Sequence, residues 1–275
     1  MAGTGGLLSR WHAALAEQSP VAIATVIEGM EDSFGGKILV SPEDHTGTAG
    51  NDDLDRAIVE GARGMLEGGK TGTVHYGPRG QRRMEDVAVF VQSFAPPPKM
   101  YVFGAIDFAS AVARIGKFLG YRVIVCDARA VFATRDRFPS ADEVVVAWPD
   151  DFLKTAEVDQ RSVICVLTHD PKFDVPVLKE ALNTPAGYIG AMGSRRTHDN
   201  RTARLKEEGV TDQQLARISS PIGLDVGART PEETAVAIAA ETIALRTGHS
   251  GGRLAERSGP IHASGPKETA SNPSR

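Results

Sequence analysis

The stretch from Lys99 to Asp127 constrains the fold more than any other part of the chain. An apolar run ends at Gly104, a helical pattern follows over residues 108–119, and a second apolar run ends at Asp127. This order is typical of the first βαβ unit of a dinucleotide-binding domain. Gly104 permits the tight turn after the first strand. Asp127 lies roughly 20 positions further on, where an acid binds ribose hydroxyls.

The dinucleotide-binding fingerprint in this unit is incomplete. Ile106 occupies the position of the usual second glycine, where the backbone must approach a pyrophosphate. Asp107 adds a negative charge that stabilises the helix dipole but repels phosphate. Two interpretations therefore stay open: a dinucleotide site, or a Rossmann-like sheet that binds no dinucleotide in the usual way.

A run of prolines divides the chain into two predicted domains. Residues 1–95 combine short strands with one main amphipathic helix, which indicates a small α+β domain. Residues 96–99 form a proline-rich linker, because consecutive prolines cannot continue a helix or a central strand. Residues 100–248 alternate strands and helices, which predicts an α/β fold with a Rossmann-like, doubly wound parallel sheet. Residues 249–275 are poor in large apolar side chains, and we expect a disordered tail there.

The element boundaries follow from periodicity and capping signals. The predicted strands occupy residues 21–27, 37–40, 71–76, 87–94, 100–103, 121–126, 143–147, 162–167 and 188–189. The predicted helices occupy residues 10–18, 54–67, 108–119, 175–182, 195–208 and 231–246. Three residues mark the N-terminus of the last helix: Thr230 can cap it, Pro231 fits its first position and Glu233 completes a capping box.

Composition narrows the class of protein. The net charge of −4 gives no reason to expect a nucleic acid partner, and no apolar run is long enough to span a bilayer. The N-terminal residues lack a signal-peptide pattern. Cys126 and Cys165 lie in apolar runs, which predicts buried small side chains, and the histidines show no metal-ligand spacing. We therefore expect a cytoplasmic protein with no metal bound by its side chains.

The tripeptide Thr168-His169-Asp170 follows the predicted strand 162–167. Ligands of open α/β sheets collect at the carboxyl ends of strands, so these polar side chains are candidate ligand contacts. His169 could move a proton or bond a ligand carbonyl. In the alternative interpretation, Asp170 caps the next helix and His169 bonds the backbone.

A second polar segment, residues 190–196, reads Gly-Ala-Met-Gly-Ser-Arg-Arg. A strand, a glycine turn, a serine and two arginines that open a helix predict a phosphate or carboxylate site. The segment lacks the lysine of a P-loop. The alternative is a helix start with solvated arginines.

Several of these motifs, in this order, resemble the XdhC/CoxI family, the accessory factors of xanthine dehydrogenase and carbon monoxide dehydrogenase. The resemblance covers most of the second domain, and residues 21–26 resemble the start of the family's N-terminal domain. The resemblance implies a cytoplasmic chaperone that binds the molybdenum cofactor (molybdopterin), protects it while it acquires its terminal sulfur, and delivers it to an apo-enzyme. It also implies a Rossmann second domain and a homodimer. The candidate cofactor-binding residues are Gly104, Ala105, Asp127, Arg129, Thr168, His169, Asp170, Gly190, Gly193, Ser194, Arg195 and Arg196.

The N-terminal domain departs from the family pattern. Members of the family usually carry cysteines in two glycine-rich turns, whereas the matching residues 47–53 and 81–86 contain none. A thiolate is the natural soft ligand or sulfur-handling group. The chain is therefore expected to be a divergent member.

Three functional hypotheses follow. The first is a non-catalytic maturation protein that binds molybdenum cofactor or a nucleotide for a molybdenum hydroxylase apo-enzyme. The second is an NAD(P)- or nucleotide-binding oxidoreductase or sensor, with Asp127 on ribose, Arg195 and Arg196 on phosphate, and Arg129 near a 2′-phosphate. The third is a dimeric interaction scaffold whose ligand site has decayed.

Overall fold

The computed structural model describes residues 4–81, 84–256 and 258. The helices are α1 (Thr4–Ala16), α2 (Asp52–Glu67), α3 (Asp107–Phe118), α4 (Pro149–Thr155), α5 (Pro171–Leu182), α6 (Arg195–Glu207), α7 (Asp212–Leu215) and α8 (Pro231–Thr247). The strands are β1 (Val21–Glu28), β2 (Lys37–Val40), β3 (His45–Thr48), β4 (Gly72–Tyr76), β5 (Val87–Phe94), β6 (Lys99–Phe103), β7 (Arg122–Asp127), β8 (Glu143–Val146), β9 (Val163–Val166), β10 (Tyr188–Ala191) and β11 (Ile218–Ser219).

The first sheet is antiparallel and has the strand order β3-β2-β1-β5-β4. Helix α2 packs on it through Leu54, Ile58, Ala62 and Leu66, which repeat at the helical period on one face. Asn51 caps this helix by accepting hydrogen bonds from the backbone N–H groups at positions 53 and 54. This antiparallel sheet, with α2 on one face and α1 packed against the other, matches the predicted α+β unit.

The second sheet is parallel and has the strand order β11-β10-β9-β6-β7-β8. Numbered from β6 as its first strand, this is the order 3-2-1-4-5-6 of dinucleotide-binding Rossmann domains. The strand order reverses between β6 and β9, and the ligands of such sheets bind at that switch point.

Helices cover both faces of the parallel sheet. Alternate strand residues divide between two buried clusters, as the two-residue period of a strand requires. One cluster joins Met100 and Val102 to α3 and α8, and the other joins Tyr101 and Phe103 to α4, α5 and α6. The predicted doubly wound α/β fold is therefore confirmed.

The structure adds elements that the sequence patterns missed. Strands β3 and β11 and helices α4 and α7 are too short to establish a period. Helix α5 begins at Pro171 rather than at Val175, because Asp170 caps it and Pro171 takes the first helical position. Helix α1 begins at Thr4, well before the predicted start at residue 10.

Other local predictions agree with the structure. Thr230 and Glu233 form the predicted capping box of α8, and the helix ends at Gly248 in a left-handed conformation. Cys126 and Cys165 are buried, as predicted. Among the described residues, no helix has the length and hydropathy that a bilayer crossing requires.

The predicted tail, residues 249–275, lies outside the described residues except for 249–256 and 258, where Leu254–Glu256 form a turn of 3₁₀ helix. Residues 82 and 83, in one of the segments compared with the family's cysteine turns, also lie outside them.

The antiparallel sheet contacts the amino-terminal edge of the parallel sheet. Arg161, just before β9, donates from Nη1 to the Pro96 carbonyl at 3.0 Å, and Gln160 donates to Glu67 at 3.0 Å. A cleft of about 940 Å³ lies at this edge, beside Lys99 and Arg122 at the starts of β6 and β7. The carboxyl edge of the parallel sheet, with the predicted site residues, faces the opposite way.

Candidate functional site

Gly104 brings two loops into backbone contact at the switch point. Its φ of +104° favours glycine, and an added Cβ would lie 2.8 Å from the amide nitrogen of Thr168. The loops that follow β6 and β9 therefore meet at a point where a side chain on Gly104 would not fit. The sequence predicts the turn at Gly104, and the structure adds the close approach of the second loop.

Asp127 joins the loops that follow β6 and β7. Its Oδ2 accepts hydrogen bonds from the Ala105 N–H at 2.7 Å and from Nη2 of Arg129 at 2.8 Å. Its Oδ1 accepts from the N–H and from Nε of Arg129, both at 2.9 Å. The burial of this carboxylate opposes ionisation, but these bonds outweigh burial and hold the pKa of Asp127 below its ordinary value.

This geometry bears on the predicted ribose contact. A carboxylate has about four acceptor sites, and four donors from the protein already occupy those of Asp127. In this structure Asp127 orders the two loops around the switch point, and its oxygens have little remaining capacity for ribose hydroxyls. Arg129 is fixed by the same contacts, and its guanidinium carbon lies 4.6 Å from the centroid of the Phe132 ring.

The start of α3 is less repulsive to an anion than its sequence indicates. Ile106 occupies the N-cap position and makes no side-chain capping bond. Asp107 accepts a hydrogen bond from Nη2 of Arg137 at 3.3 Å, so its negative charge has a positive neighbour. The branched Ile106 side chain still occupies the fingerprint's second glycine position.

The three residues of the predicted triplet Thr168-His169-Asp170 lie in different environments. Thr168 is buried, and its Oγ1 accepts a hydrogen bond from the Asp170 N–H at 3.1 Å. Asp170 caps α5 by accepting from the Lys172 N–H at 3.1 Å, which is the structural alternative considered above. His169 is exposed. A ligand contact by any of the three remains a prediction.

The segment Gly193-Ser194-Arg195-Arg196 opens α6 as predicted. Gly193 has φ +149°, and an added Cβ would lie 2.9 Å from Cγ2 of Thr197. Ser194 caps the helix by accepting from the Thr197 N–H at 3.2 Å, which leaves the first two N–H groups of α6 without intrahelical partners. Arg195 and Arg196 are exposed, and neither forms an ion pair within the described part of the chain. Gly190 is buried within β10, one residue from its end.

A buried ion pair, absent from the sequence predictions, lies behind these loops. Arg201 on α6 donates from Nη2 to Asp174 on α5 at 2.9 Å and to the Met192 carbonyl at 2.7 Å. Both side chains are almost fully buried, and burial raises the pKa of Asp174 against the opposing effect of Arg201. Within the described residues, Oδ1 of Asp174 and Nε of Arg201 have no hydrogen-bond partner at standard geometry.

Helical spacing could have revealed this pair. Arg201 precedes the buried Leu205 by four positions, and Asp174 precedes the buried Leu178 by four positions. A charged residue on the buried face of each of two successive helices is the sequence signal of such a pair.

The donor set of this edge fits a phosphate better than a metal ion. Backbone N–H groups, a serine and two exposed guanidinium groups are anion ligands. No group of three or more His, Cys, Asp or Glu side chains among the described residues is placed to hold a metal. Burial raises the pKa values of Cys126 and Cys165 to about 12, so both thiols are protonated at neutral pH.

Comparison with known proteins agrees with this architecture. The chain matches the XdhC Rossmann domain over residues 100–242 and the XdhC and CoxI family over residues 14–77. A structure from Bacillus halodurans described as a xanthine dehydrogenase has the same fold, with a TM-score of 0.61 at 21% identity over 89% of this chain and 68% of that one.

Two curated relatives carry functional names. A protein from Bacillus subtilis (strain 168), described as a probable xanthine dehydrogenase subunit, is 32% identical over 158 residues, 58% of this chain and 46% of that protein. The molybdenum cofactor insertion chaperone PaoD from Escherichia coli (strain K12) is 27% identical over 157 residues, 57% of this chain and 43% of that protein. The chain thus spans about half the length of these relatives. Because the XdhC Rossmann domain match covers more than half of its residues, the chain belongs to the XdhC family.

Proposed function

We propose that this protein is an accessory protein in the maturation of a molybdenum hydroxylase, and that it binds molybdenum cofactor and delivers it to the apo-enzyme. The observation that carries the proposal is the start of α6 at the carboxyl edge of an XdhC Rossmann sheet, where backbone N–H groups and the exposed Arg195 and Arg196 would suit an anion. The relative named as a molybdenum cofactor insertion chaperone supports the same role.

The residues at this edge would act on the phosphate end of the cofactor. Ser194 fixes the start of α6, and Arg195 and Arg196 offer two planar guanidinium groups to a phosphate. Gly104 lets the loop after β6 pack directly against Thr168, which holds the two loops together at the switch point where the ligand would bind. When bound, the cofactor would supply the molybdenum centre on which the client enzyme depends. The role requires binding and release, and we infer that this protein is not itself a redox catalyst.

We further propose that the protein acts in the cytoplasm and as a homodimer. Both inferences rest on the family resemblance. The protonated, buried thiols are compatible with a reducing compartment.

Nucleotide binding is the second candidate function. The strand order and the glycine turn at the switch point favour it, whereas the fully engaged Asp127 carboxylate weighs against ribose recognition of the usual kind.

The test is equilibrium dialysis of the purified chain against isolated molybdenum cofactor under anaerobic conditions, with NAD⁺ and NADP⁺ in parallel. We expect the cofactor to be retained, and Arg195→Ala/Arg196→Ala to raise its dissociation constant about tenfold or more, as expected for the loss of charge-assisted hydrogen bonds. The matched control, Arg204→Ala/Lys206→Ala, removes two positive charges from the far end of the same helix and should leave binding unchanged.

Failure of the wild-type chain to retain cofactor would refute cofactor binding. An equal loss in the two double variants would show that total charge matters and that the start of α6 is not the site. Retention of NAD⁺ or NADP⁺ alone would favour the second candidate.

A further inference from the structure

A row of alternating cations and aromatic rings lies along the carboxyl ends of β7, β8 and β9. Arg129 lies 4.6 Å from the Phe132 centroid and 6.0 Å from the Phe173 centroid. Lys172 lies 4.7 Å from the Phe173 centroid and 6.0 Å from the Trp148 ring. The Trp148 and Phe173 rings are 5.1 Å apart at an interplanar angle of 48°. We refer to these five residues as the aromatic row.

Much of the aromatic row faces solvent. Trp148 is 50% exposed and Phe132 39% exposed, and the side chains of Arg129 and Lys172 are 43% and 60% exposed. Phe173, the ring that Trp148 contacts, is buried at 6% exposure, so the half-exposed indole is supported from below and presents an apolar surface to solvent. Both exposed rings have a cation within 6 Å, and each cation has a carboxylate neighbour, Asp127 for Arg129 and Asp170, at 3.9 Å, for Lys172. The surface is therefore suited to a planar ligand, with the exposed parts of both cations available to its negative charge.

Secondary structure holds the row in place. Trp148 is the N-cap residue of α4, with Pro149 in the first helical position. Phe173 lies in the first turn of α5, which Asp170 caps. Arg129 is fixed by its three hydrogen bonds to Asp127. The backbone positions of the rings and the Arg129 side chain are thus set before a ligand binds, which favours binding.

The row also lies at the ligand-binding edge of the sheet. β9 is one of the two strands that flank the switch point, and β7 is the neighbour of the other. The row and the start of α6 therefore lie at the same edge of the sheet.

We propose that the aromatic row binds the planar heterocycle of a phosphate-bearing ligand, which stacks on Trp148 while Arg129 and Lys172 interact with its rings and negative charge. This inference rests on the proposed function and names the part of the ligand that is recognised. A pterin and a purine share this chemistry, and the experiment separates them.

Tryptophan fluorescence gives a direct measurement, since the chain contains two tryptophans, Trp11 and Trp148. In a Trp11→Phe variant, Trp148 is the sole reporter. We expect saturable quenching when this variant is titrated with neopterin monophosphate or with AMP, and no quenching with inorganic phosphate. The heterocycle that quenches identifies the source of the ligand.

Substitutions then test the row by calorimetry with the same probe. We expect Trp148→Ala to raise the dissociation constant about 5- to 100-fold, the range found when a base-stacking aromatic is removed. Trp148→Phe keeps a ring and should recover most of the affinity, and Lys172→Ala should weaken binding about two- to fivefold. The controls Phe118→Ala and Lys179→Ala remove an exposed ring on α3 and an exposed cation on α5, and neither should change affinity.

Three outcomes separate this inference from the proposed function. Equal affinity of Trp148→Ala and Phe118→Ala for the probe, with molybdenum cofactor still retained, overturns the aromatic row and leaves the proposed function standing. An absence of quenching by both heterocycles, with cofactor binding unchanged in Trp148→Ala, also overturns it. Loss of cofactor retention in the wild-type chain refutes the proposed function itself.

Discussion

At the scale of single residues, Asp127 has an unexpected role in the predicted site. The sequence places an acid at the end of the second strand, as in a ribose-binding fingerprint. In the fold, the same acid is buried and accepts hydrogen bonds from Ala105 and Arg129. Its negative charge is thus used to order the loops on which the switch point depends.

Replacement of Asp127 should destabilise the protein in a pH-dependent way. Asp127→Ala leaves the Ala105 N–H and the Arg129 guanidinium without their acceptor, and we expect a loss of about 1–3 kcal/mol in the free energy of unfolding at pH 7. Urea unfolding followed by circular dichroism measures it. Asp199→Asn, at an exposed position on α6, is the control and should change stability little.

The pH dependence has a definite sign. The pKa of Asp127 is lower in the folded protein than in the unfolded chain. The stabilisation that Asp127 gives to the folded state is therefore complete above its unfolded-chain pKa of about 3.9. It is lost as the pH falls through its lower pKa in the folded protein. The stability gap between the wild-type protein and Asp127→Ala should be constant from pH 7 to 5 and should narrow below pH 4. A gap that keeps its full size at low pH would contradict the assignment.

At the scale of elements, helices of several turns and complete apolar strands can be predicted, because their sequence patterns are long enough to recognise. The capping box at Thr230 and the apolar strand around Cys165 identify α8 and β9 from sequence alone. Helix α4 is only seven residues long, which is too short for a helical period of apolar residues to be recognised. The aromatic contact between Trp148 and Phe173 cannot be predicted from the sequence, because it joins the starts of two different helices, and only the folded sheet brings these together.

The candidate site likewise has local features that the sequence predicts and long-range contacts that it does not. The turn at Gly104 and the helix start at Ser194 are local and could be predicted. The link between Asp127 and Ala105 depends on how β6 and β7 pair, and the meeting of Gly104 with Thr168 depends on the position of β9 beside β6. Such long-range contacts have no signature within a single segment.

The buried pair of Asp174 and Arg201 should carry much of the coupling between α5 and α6. Arg201→Met leaves the Asp174 carboxylate buried without its partner, and we expect a loss of about 3–5 kcal/mol in the free energy of unfolding. The double variant Asp174→Leu/Arg201→Met removes both charges and should recover a large part of that loss. Denaturant unfolding of the wild type, the two single variants Arg201→Met and Asp174→Leu, and the double variant gives the coupling energy between the two side chains.

The two helices offer a matched control for this prediction. Lys179 on α5 forms an exposed ion pair with Glu208, at the end of α6, at 2.8 Å. Lys179→Ala should cost less than about 1 kcal/mol, because solvent screens exposed pairs. If Arg201→Met cost no more than Lys179→Ala, burial would not strengthen the pair of Asp174 and Arg201.

At the scale of the whole molecule, the two sheets meet at the edge that lies away from the candidate ligand site. Arg161 and Gln160 contact the first part of the chain at the amino end of β9, whereas Gly104 and Ser194 follow the carboxyl ends of β6 and β10. The described residues before the prolines that make these contacts therefore lie away from the switch point. In the proposed delivery of a cofactor, an open carboxyl edge would allow a client enzyme to approach the bound ligand.

The predicted boundary at residues 96–99 should separate two independently folding units. The buried clusters around the parallel sheet begin at Met100, and the buried clusters of the antiparallel sheet and α1 end by Ala95, so none of them crosses the prolines. A fragment of residues 96–256 keeps the complete parallel sheet, its helices on both faces and the Pro96 carbonyl that binds Arg161.

We expect this fragment to unfold in a single cooperative thermal transition by circular dichroism, and to bind the same phosphate-bearing probe as the whole chain with a dissociation constant within about threefold, a difference of less than about 1 kcal/mol. A fragment that truncates the sheet, residues 128–256, lacks β6 and β7 and serves as the control that should not fold. Non-cooperative melting of residues 96–256 would show that the antiparallel sheet stabilises the Rossmann domain through the amino edge. Cooperative melting with lost binding would show instead that residues before the prolines contribute to the ligand site, which the placement of both sheets argues against.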